Sequence, residues 1–267
     1  MEIKLLIGYL FATIVGITLG LIGSGGSILS VPILVYILGV EPILATAYSL
    51  FIVGTTALFG GVQKAKQNLV DYKKVLLFGI PTLLSVFVTR RIIVPNIPEI
   101  LFSTSVFTLH KSVFIMVVFA VVMIMASVRM IKPMPTEIKE EYQKLNYRKI
   151  FFQGILIGLI AGFVGAGGGF LIIPALLFLA NTPMKKAVGT SLFIVAAQSL
   201  IGFIGDLRSD QILDWNLLLT FTACSILGVF IGSFLSKKID GNKLKTSFGW
   251  FVSVSYTHLT LPTKRIV

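Results

Sequence analysis

From Leu5 to Val62 the chain carries one charged side chain, Glu41, and from Ile150 to Met184 it carries none. About 20 consecutive apolar residues cross the hydrocarbon core of a bilayer, so runs of this length hold several spans. Lipid offers no partner to a backbone N–H or C=O, and helices satisfy those groups internally. Only 13% of residues are charged against 55% hydrophobic, too little charge to cover a soluble domain. The opening Met1-Glu2-Ile3-Lys4 is barely basic, and no small-residue cleavage site closes the apolar stretch after it. It reads as the start of the first span rather than as a signal peptide.

The net charge of +12 comes from Lys and Arg in short loops between spans. Orientation in a bilayer explains them better than binding to nucleic acid. Cys224 is the sole cysteine, which excludes a disulfide framework and a cysteine-rich metal site. Its apolar surroundings make it a packing residue.

Apolar segments run over 5–22, 28–39, 43–62, 75–89 and 112–130, and then over 150–164, 170–180, 186–204 and 215–236, with a last one starting near 245. The expected organisation is a first transmembrane repeat over 1–131, a cytoplasmic linker over 132–149 and a second repeat over 150–253. Residues 254–263, VSYTHLTLPT, resemble the translation of a sequencing adapter. The segment 254–267 is therefore expected to be a non-native tail, with the last helix cut short near Ser253.

The two sets of segments are copies. A shift of 142 positions without a gap places Gly16, Gly20, Gly23, Gly25, Gly26 and Pro32 on Gly158, Gly162, Gly165, Gly167, Gly168 and Pro174. From 16 to 53 there are 14 identities in 38 positions, which marks an internal duplication. The Lys-rich loop QKAKQNLVDYKK follows the third segment, and the net acidic GDLRSDQILDW follows its counterpart. Positive charge marks the cytoplasmic side, so the copies are expected to be inverted, with about five segments each. The fold class is thus an all-α integral membrane protein of two inverted repeats with broken helices at the Gly-rich motifs. Inverted repeats are the architecture of many secondary transporters, whose substrate site lies where the repeats meet.

Gly23, Gly25 and Gly26 fall within four positions, and each glycine inside a helix costs on the order of 1 kcal/mol relative to alanine. They break the helix, and a broken helix in lipid is tolerated only where it is buried in protein or lines a wet cavity. Half-helices starting near Ser27 and Gly169 would aim free N–H groups at one anion from the two repeats. The expected binding residues are Gly23, Ser24, Gly25, Gly26, Ser27 and Ser49 from the first repeat, and Gly165, Gly167, Gly168, Gly169, Thr190 and Ser191 from the second. Gln198, inside a span, either faces the pathway or makes an interhelical hydrogen bond. The pairs Gly16 and Gly20, Gly158 and Gly162, and Gly228 and Gly232 read instead as close helix packing. Glu41 reads as a surface loop residue rather than a proton-coupling carboxylate, and Arg90 and Arg91 as interface anchors. His110 and His258 are poor ligand candidates. No nucleophile–base, paired-carboxylate or metal-ligand constellation can be assembled, so neither enzyme nor cofactor is expected.

The paired Gly-rich stretches ending in Pro32 and Pro174, together with Ala187-x-Gly189-Thr190-Ser191, resemble the sulfite exporter TauE/SafE family, bacterial membrane permeases built from two homologous halves. The first half departs from the pattern, with Ala47 and Tyr48 where the second has Gly189 and Thr190. The resemblance implies a multi-pass protein of the bacterial inner membrane that moves sulfite, sulfonates or related anions, often outward. Its partners would be the lipid bilayer and a small inorganic or organic anion. An importer, a permease for another anion, a membrane-embedded enzyme and a channel are the alternatives.

Overall fold

The computed structural model describes residues 2–23, 26–98, 100–103, 108–131, 147–164, 166–206 and 213–260. Its first half contains α1 (Glu2–Ile22) and α2 (Ser27–Pro32), which widens into a π-helical turn (Ile33–Ile37). Then come α3 (Pro42–Ala65) and α4 (Tyr72–Val88), followed by a second π turn (Thr89–Ile93) and the single turn α5 (Val94–Asn96). Strands β1 (Ile100–Ser103) and β2 (Thr108–His110) pair antiparallel before α6 (Lys111–Ile131). The second half contains α7 (Tyr147–Val164), a 3₁₀ turn (Ala166–Leu171), α8 (Ile172–Phe178), α9 (Met184–Asp206), α10 (Trp215–Lys238) and α11 (Gly241–Thr260).

Among the described residues the regular structure is helical apart from that short hairpin, which the sequence did not announce. Five helices among the described residues are long and apolar enough to cross a membrane: α1, α3, α4 with its π turn, α9 and α10. Most of the expected linker, residues 132–146, lies outside the described residues, and α7 takes up its last three positions. Helix α11 continues past Ser253 to Thr260, and 261–267 lie outside the described residues.

Local chemistry sets the element ends. Pro42 occupies the first turn of α3, where its missing N–H removes no helical bond. Asp71 caps α4 by accepting from Lys74 N, and Asp214 caps α10 by accepting from Leu217 N. Pro32 cannot donate, and directly after it Leu38 N bonds back five residues to Ile33 O. The run then stops at Gly39, whose φ of +70° suits glycine.

The packing is that of a protein in lipid. On α4 the side chains of Leu76, Ile80, Leu84 and Phe87 are exposed, while Thr82, Ser85 and Thr89 are buried. Between helices in lipid no hydrophobic gain is available, so small and hydroxylic residues that permit close approach take the interface. The glycine pairs read as packing sites do pack. A Cβ on Gly16 would lie 1.9 Å from Ser225 O, and one on Gly228 2.1 Å from Thr13 O. Gly158 meets Thr82 O at 2.4 Å in the same way.

Helix α1 lies along α10, α7 along α4, α3 along α9 and α6 along α11. Under the 142-residue shift α1 matches α7, α4 matches α10 and α3 matches α9. The first helix of each half thus packs on the fourth helix of the other, and neither half buries its small-residue faces alone.

Candidate functional site

The first break is held by its neighbours from the other half. Gly23 N closes α1 on Leu19 O at 2.7 Å, and the φ of +85° at Gly23 is open to glycine and strained for other residues. A Cβ there would lie 2.7 Å from Ser191 Oγ and 2.9 Å from Ile173 Cδ1. Gly26 turns the chain back against α1, since a Cβ on it would meet Val15 O at 2.6 Å. Ser27 opens α2 as expected. The buried hydroxyls of Ser30 and Ser49 then share a hydrogen bond that ties α2 to α3.

The second break is wound more tightly. Gly167, Gly168 and Gly169 lie in the 3₁₀ turn ahead of α8, so helical winding begins at Ala166, before the expected start near Gly169. This turn touches α2 and α9, and α2 touches α3, which brings the two breaks together beside the packed pair of α3 and α9. Ser24, Gly25 and Gly165 lie outside the described residues.

The departure at Tyr48 has a structural explanation. Thr190 Oγ1 accepts the backbone N–H of Asp71 at 3.0 Å, and Tyr48 Oη accepts that of Asp214 at 2.5 Å. Positions 48 and 190 are therefore equivalent in role. Each hydroxyl on α3 or α9 holds the residue that caps the fourth helix of the opposite half. At Gly189 the loop approaches so closely that a Cβ would sit 2.1 Å from Leu69 O, and a threonine suffices next to it. Where the first half has Ala47, the longer tyrosine spans the gap. Thr190, expected as a substrate donor, accepts in this latch and keeps its own O–H, whereas Ser191 Oγ donates to Val188 O at 2.9 Å.

Gln198 is half-buried, and its Nε2 has no hydrogen-bond partner among the described residues, so that nitrogen makes no interhelical bond. A residue absent from the expectation shares this state. Thr56 is fully buried, with its hydroxyl unpaired among the described residues, and the 142-residue shift carries 56 onto 198. The duplication could have found it: Ser49, Val53 and Thr56 recur as Ser191, Val195 and Gln198, and the spacing i, i+4, i+7 puts each trio on one helix face. An orphaned buried polar group costs about 1–3 kcal/mol, so two at equivalent positions call for an occupant.

The lysines depart from expectation. Lys64 and Lys74 were assigned to a solvated loop, yet both are buried, as is Lys245. Lys74 Nζ donates to Ala180 O at 3.0 Å and Thr182 Oγ1 at 2.9 Å and lies 3.6 Å from Asp71 Oδ2. Lys245 and Arg129 lie 5.7 and 5.9 Å from the centre of the Phe178 ring, at the end of α8. These contacts gather the cationic ends of α3, α4, α6, α9, α10 and α11 at one end of the bundle. Glu41 is exposed at the head of α3, and Arg90 and Arg91 are exposed beyond α4, as the sequence suggested.

Apolar outer faces, interlocked halves and two glycine breaks meeting inside define a multi-pass membrane protein. Comparison with known proteins agrees: the sequence profile of the family described as "Sulfite exporter TauE/SafE" matches residues 8–259. A probable membrane transporter protein of Xylella fastidiosa strain Temecula1 is 30% identical, with 90% of this chain and 88% of the relative covered. The probable membrane transporter protein YunE of Bacillus subtilis is 27% identical over 85% of this chain and 86% of its own. A third relative, the probable membrane transporter protein MJ0441 of Methanocaldococcus jannaschii, is 28% identical over 74% and 70%. No solved structure gives a significant match. The chain belongs to the TauE/SafE family of membrane transporters.

Proposed function

We propose that the protein carries a small sulfur-containing anion, such as sulfite or an organosulfonate, outward across the bacterial inner membrane by alternating access around the two breaks. The observation that carries this reading is the equivalent pair of buried polar atoms without a partner among the described residues, Thr56 Oγ1 and Gln198 Nε2, on the helices beside which the breaks meet. An anion that leaves water needs donors in its place. The hydroxyl of Thr56 and the amide of Gln198 supply two, and the backbone of Ser24, Gly25, Gly26 and Ser27, with Gly165, Gly167, Gly168 and Gly169, supplies others, the N–H of Gly23 being held by Leu19 O. Ser49 and Ser191 flank them.

The antiparallel run of α3 against its equivalent α9, with Gly54 against Leu200 and Gly61 against Phe193, supports two inverted repeats, since a two-fold axis in the membrane plane reverses each helix it relates. In a cell with a negative interior, outward movement of one negative charge is favoured by roughly 2.3 kcal/mol per 100 mV. Efflux of this kind needs no coupling ion.

Saturable uptake of labelled sulfite into proteoliposomes tests the reading. Gly25→Leu and Gly168→Leu are expected to abolish it while the protein still reaches the membrane. Unchanged flux in both variants removes the breaks from the pathway. A linear dependence of flux on concentration, without counterflow, would make the protein a channel.

A further inference from the structure

Lys64 lies in the last turn of α3, where a lysine ordinarily complements the helix dipole and runs its ammonium out to water. Its neighbour Lys66 is exposed in that manner, whereas Lys64 is 3% exposed. Its ammonium donates to Ser236 Oγ, and that hydroxyl in turn donates to Ser233 O at 2.9 Å. An ammonium has three donors, so two remain without a partner among the described residues. No carboxylate pairs with it there. The charges nearest it are the like charges of Lys185 and Lys237, and Lys185 Nζ reaches Lys237 O at 3.4 Å. A buried cation surrounded by cations is held at a cost unless an anion joins it.

The place of the lysine says which anion. The stem of Lys64 passes Gly189, where a Cβ would lie 3.2 Å from Lys64 Cβ. Two residues along α9, Ser191 lies against Gly23 of the first break. Lys64 thus stands between the cationic end of the bundle and the first break, with Lys237 exposed on its outer side. The position 142 residues on is Asp206, so the duplication has not kept a cation at the opposite end.

We propose that Lys64, with Lys185 and Lys237 at its mouth, forms a second binding station for a small oxyanion between the cationic end of the bundle and the first break. The inference deepens the anion-transport reading and rests on it. The unpaired donors of Lys64 hold the anion after it has shed part of its water and before it reaches Gly23. Lys185 and Lys237 raise its local concentration through an attraction that salt screens over about 8–10 Å.

Two measurements on the full-length protein separate this station from transport itself: titration calorimetry of sulfite and sulfate in detergent, and sulfite flux in proteoliposomes. Lys64→Met keeps the length of the side chain and removes its charge. It is expected to weaken anion binding at least tenfold, while Lys64→Arg stays within threefold of the parent. The double variant Lys185→Gln with Lys237→Gln changes the rim alone and keeps the test open should Lys64→Met fold poorly. It is expected to weaken binding about threefold at low ionic strength, with the difference gone near 0.5 M salt. Unchanged binding in Lys64→Met, no salt-dependent loss in the rim variant, or no binding of either anion to the parent protein overturns the inference. Sulfite flux that is saturable and indifferent to Lys64 overturns the station alone. Lys64-dependent binding without flux upholds the station and removes transport of sulfite.

Discussion

The two hydroxyl latches give a stability prediction whose order and size follow from exposure. Thr190→Val removes the acceptor for Asp71 N–H while keeping the shape of a fully buried side chain. A side-chain hydrogen bond inside a membrane protein is worth about 0.6 kcal/mol on average, and a donor left unpaired and shut off from water costs about 1–3 kcal/mol. Asp71 is only half-buried, so some water reaches its N–H, and the expected loss is about 1–2 kcal/mol. Tyr48→Phe breaks the matching bond to Asp214, which is exposed, so water replaces the hydroxyl and the loss falls to about 0.5–1 kcal/mol. Helices α3 and α9 run antiparallel, with Gly61 against Phe193 and Gly54 against Leu200, which sets the two latches at opposite ends of the bundle. The double variant should then be additive to within about 0.5 kcal/mol. Reversible unfolding in mixed micelles of increasing SDS fraction, followed by helical circular dichroism, measures all four proteins. Losses below about 0.3 kcal/mol in both single variants, or a Tyr48→Phe loss larger than that of Thr190→Val, would refute the reasoning.

Three further outcomes are expected. Thr56→Val and Gln198→Leu remove polar atoms that have no partner among the described residues, so unfolding free energies should stay level or rise while sulfite flux falls at least tenfold; a parallel loss of stability would make both residues structural. Gly16→Leu drives a side chain into Ser225 O and should separate α1 from α10 at a cost above about 3 kcal/mol, read as loss of folded protein on gel filtration, whereas Gly39→Ala, with nothing within 4 Å, should cost only the backbone strain of its positive φ. Lys74→Met removes the donor to both Ala180 O and Thr182 Oγ1, leaving Ala180 O only the 3.3 Å bond from Thr182 Oγ1, and should cost about 1–3 kcal/mol in the same unfolding assay.

The spans and their breaks were legible because lipid imposes a simple rule on sequence: no charge across the core, and glycine only where backbone is meant to open. Gly23 illustrates it, with a φ that suits glycine at the point where the helix was expected to stop. The register of the duplication also carried information that residue-by-residue inspection passed over, since Gln198 alone drew notice and its mate Thr56 did not. What the sequence could not carry are contacts made across the chain. The latch made by Thr190 was invisible because Asp71 is 119 residues away. Lys64 looked like one more solvated loop charge, because nothing local says that Ser236 and the bare backbone of Gly189 give it a slot to lie in. The hairpin of β1 and β2 falls in a stretch with neither the length of a span nor a strong turn pair.

The central claim is that the two breaks enclose a site for a small anion that crosses with its charge. Flux of labelled sulfite in proteoliposomes under an imposed potential tests it most directly, with sulfate, thiosulfate and a small sulfonate as competitors. The account predicts saturable flux that follows the potential in the direction of anion movement and is blocked by at least one competitor. No flux of any of these anions through folded, reconstituted protein, or flux indifferent to the potential, would contradict it.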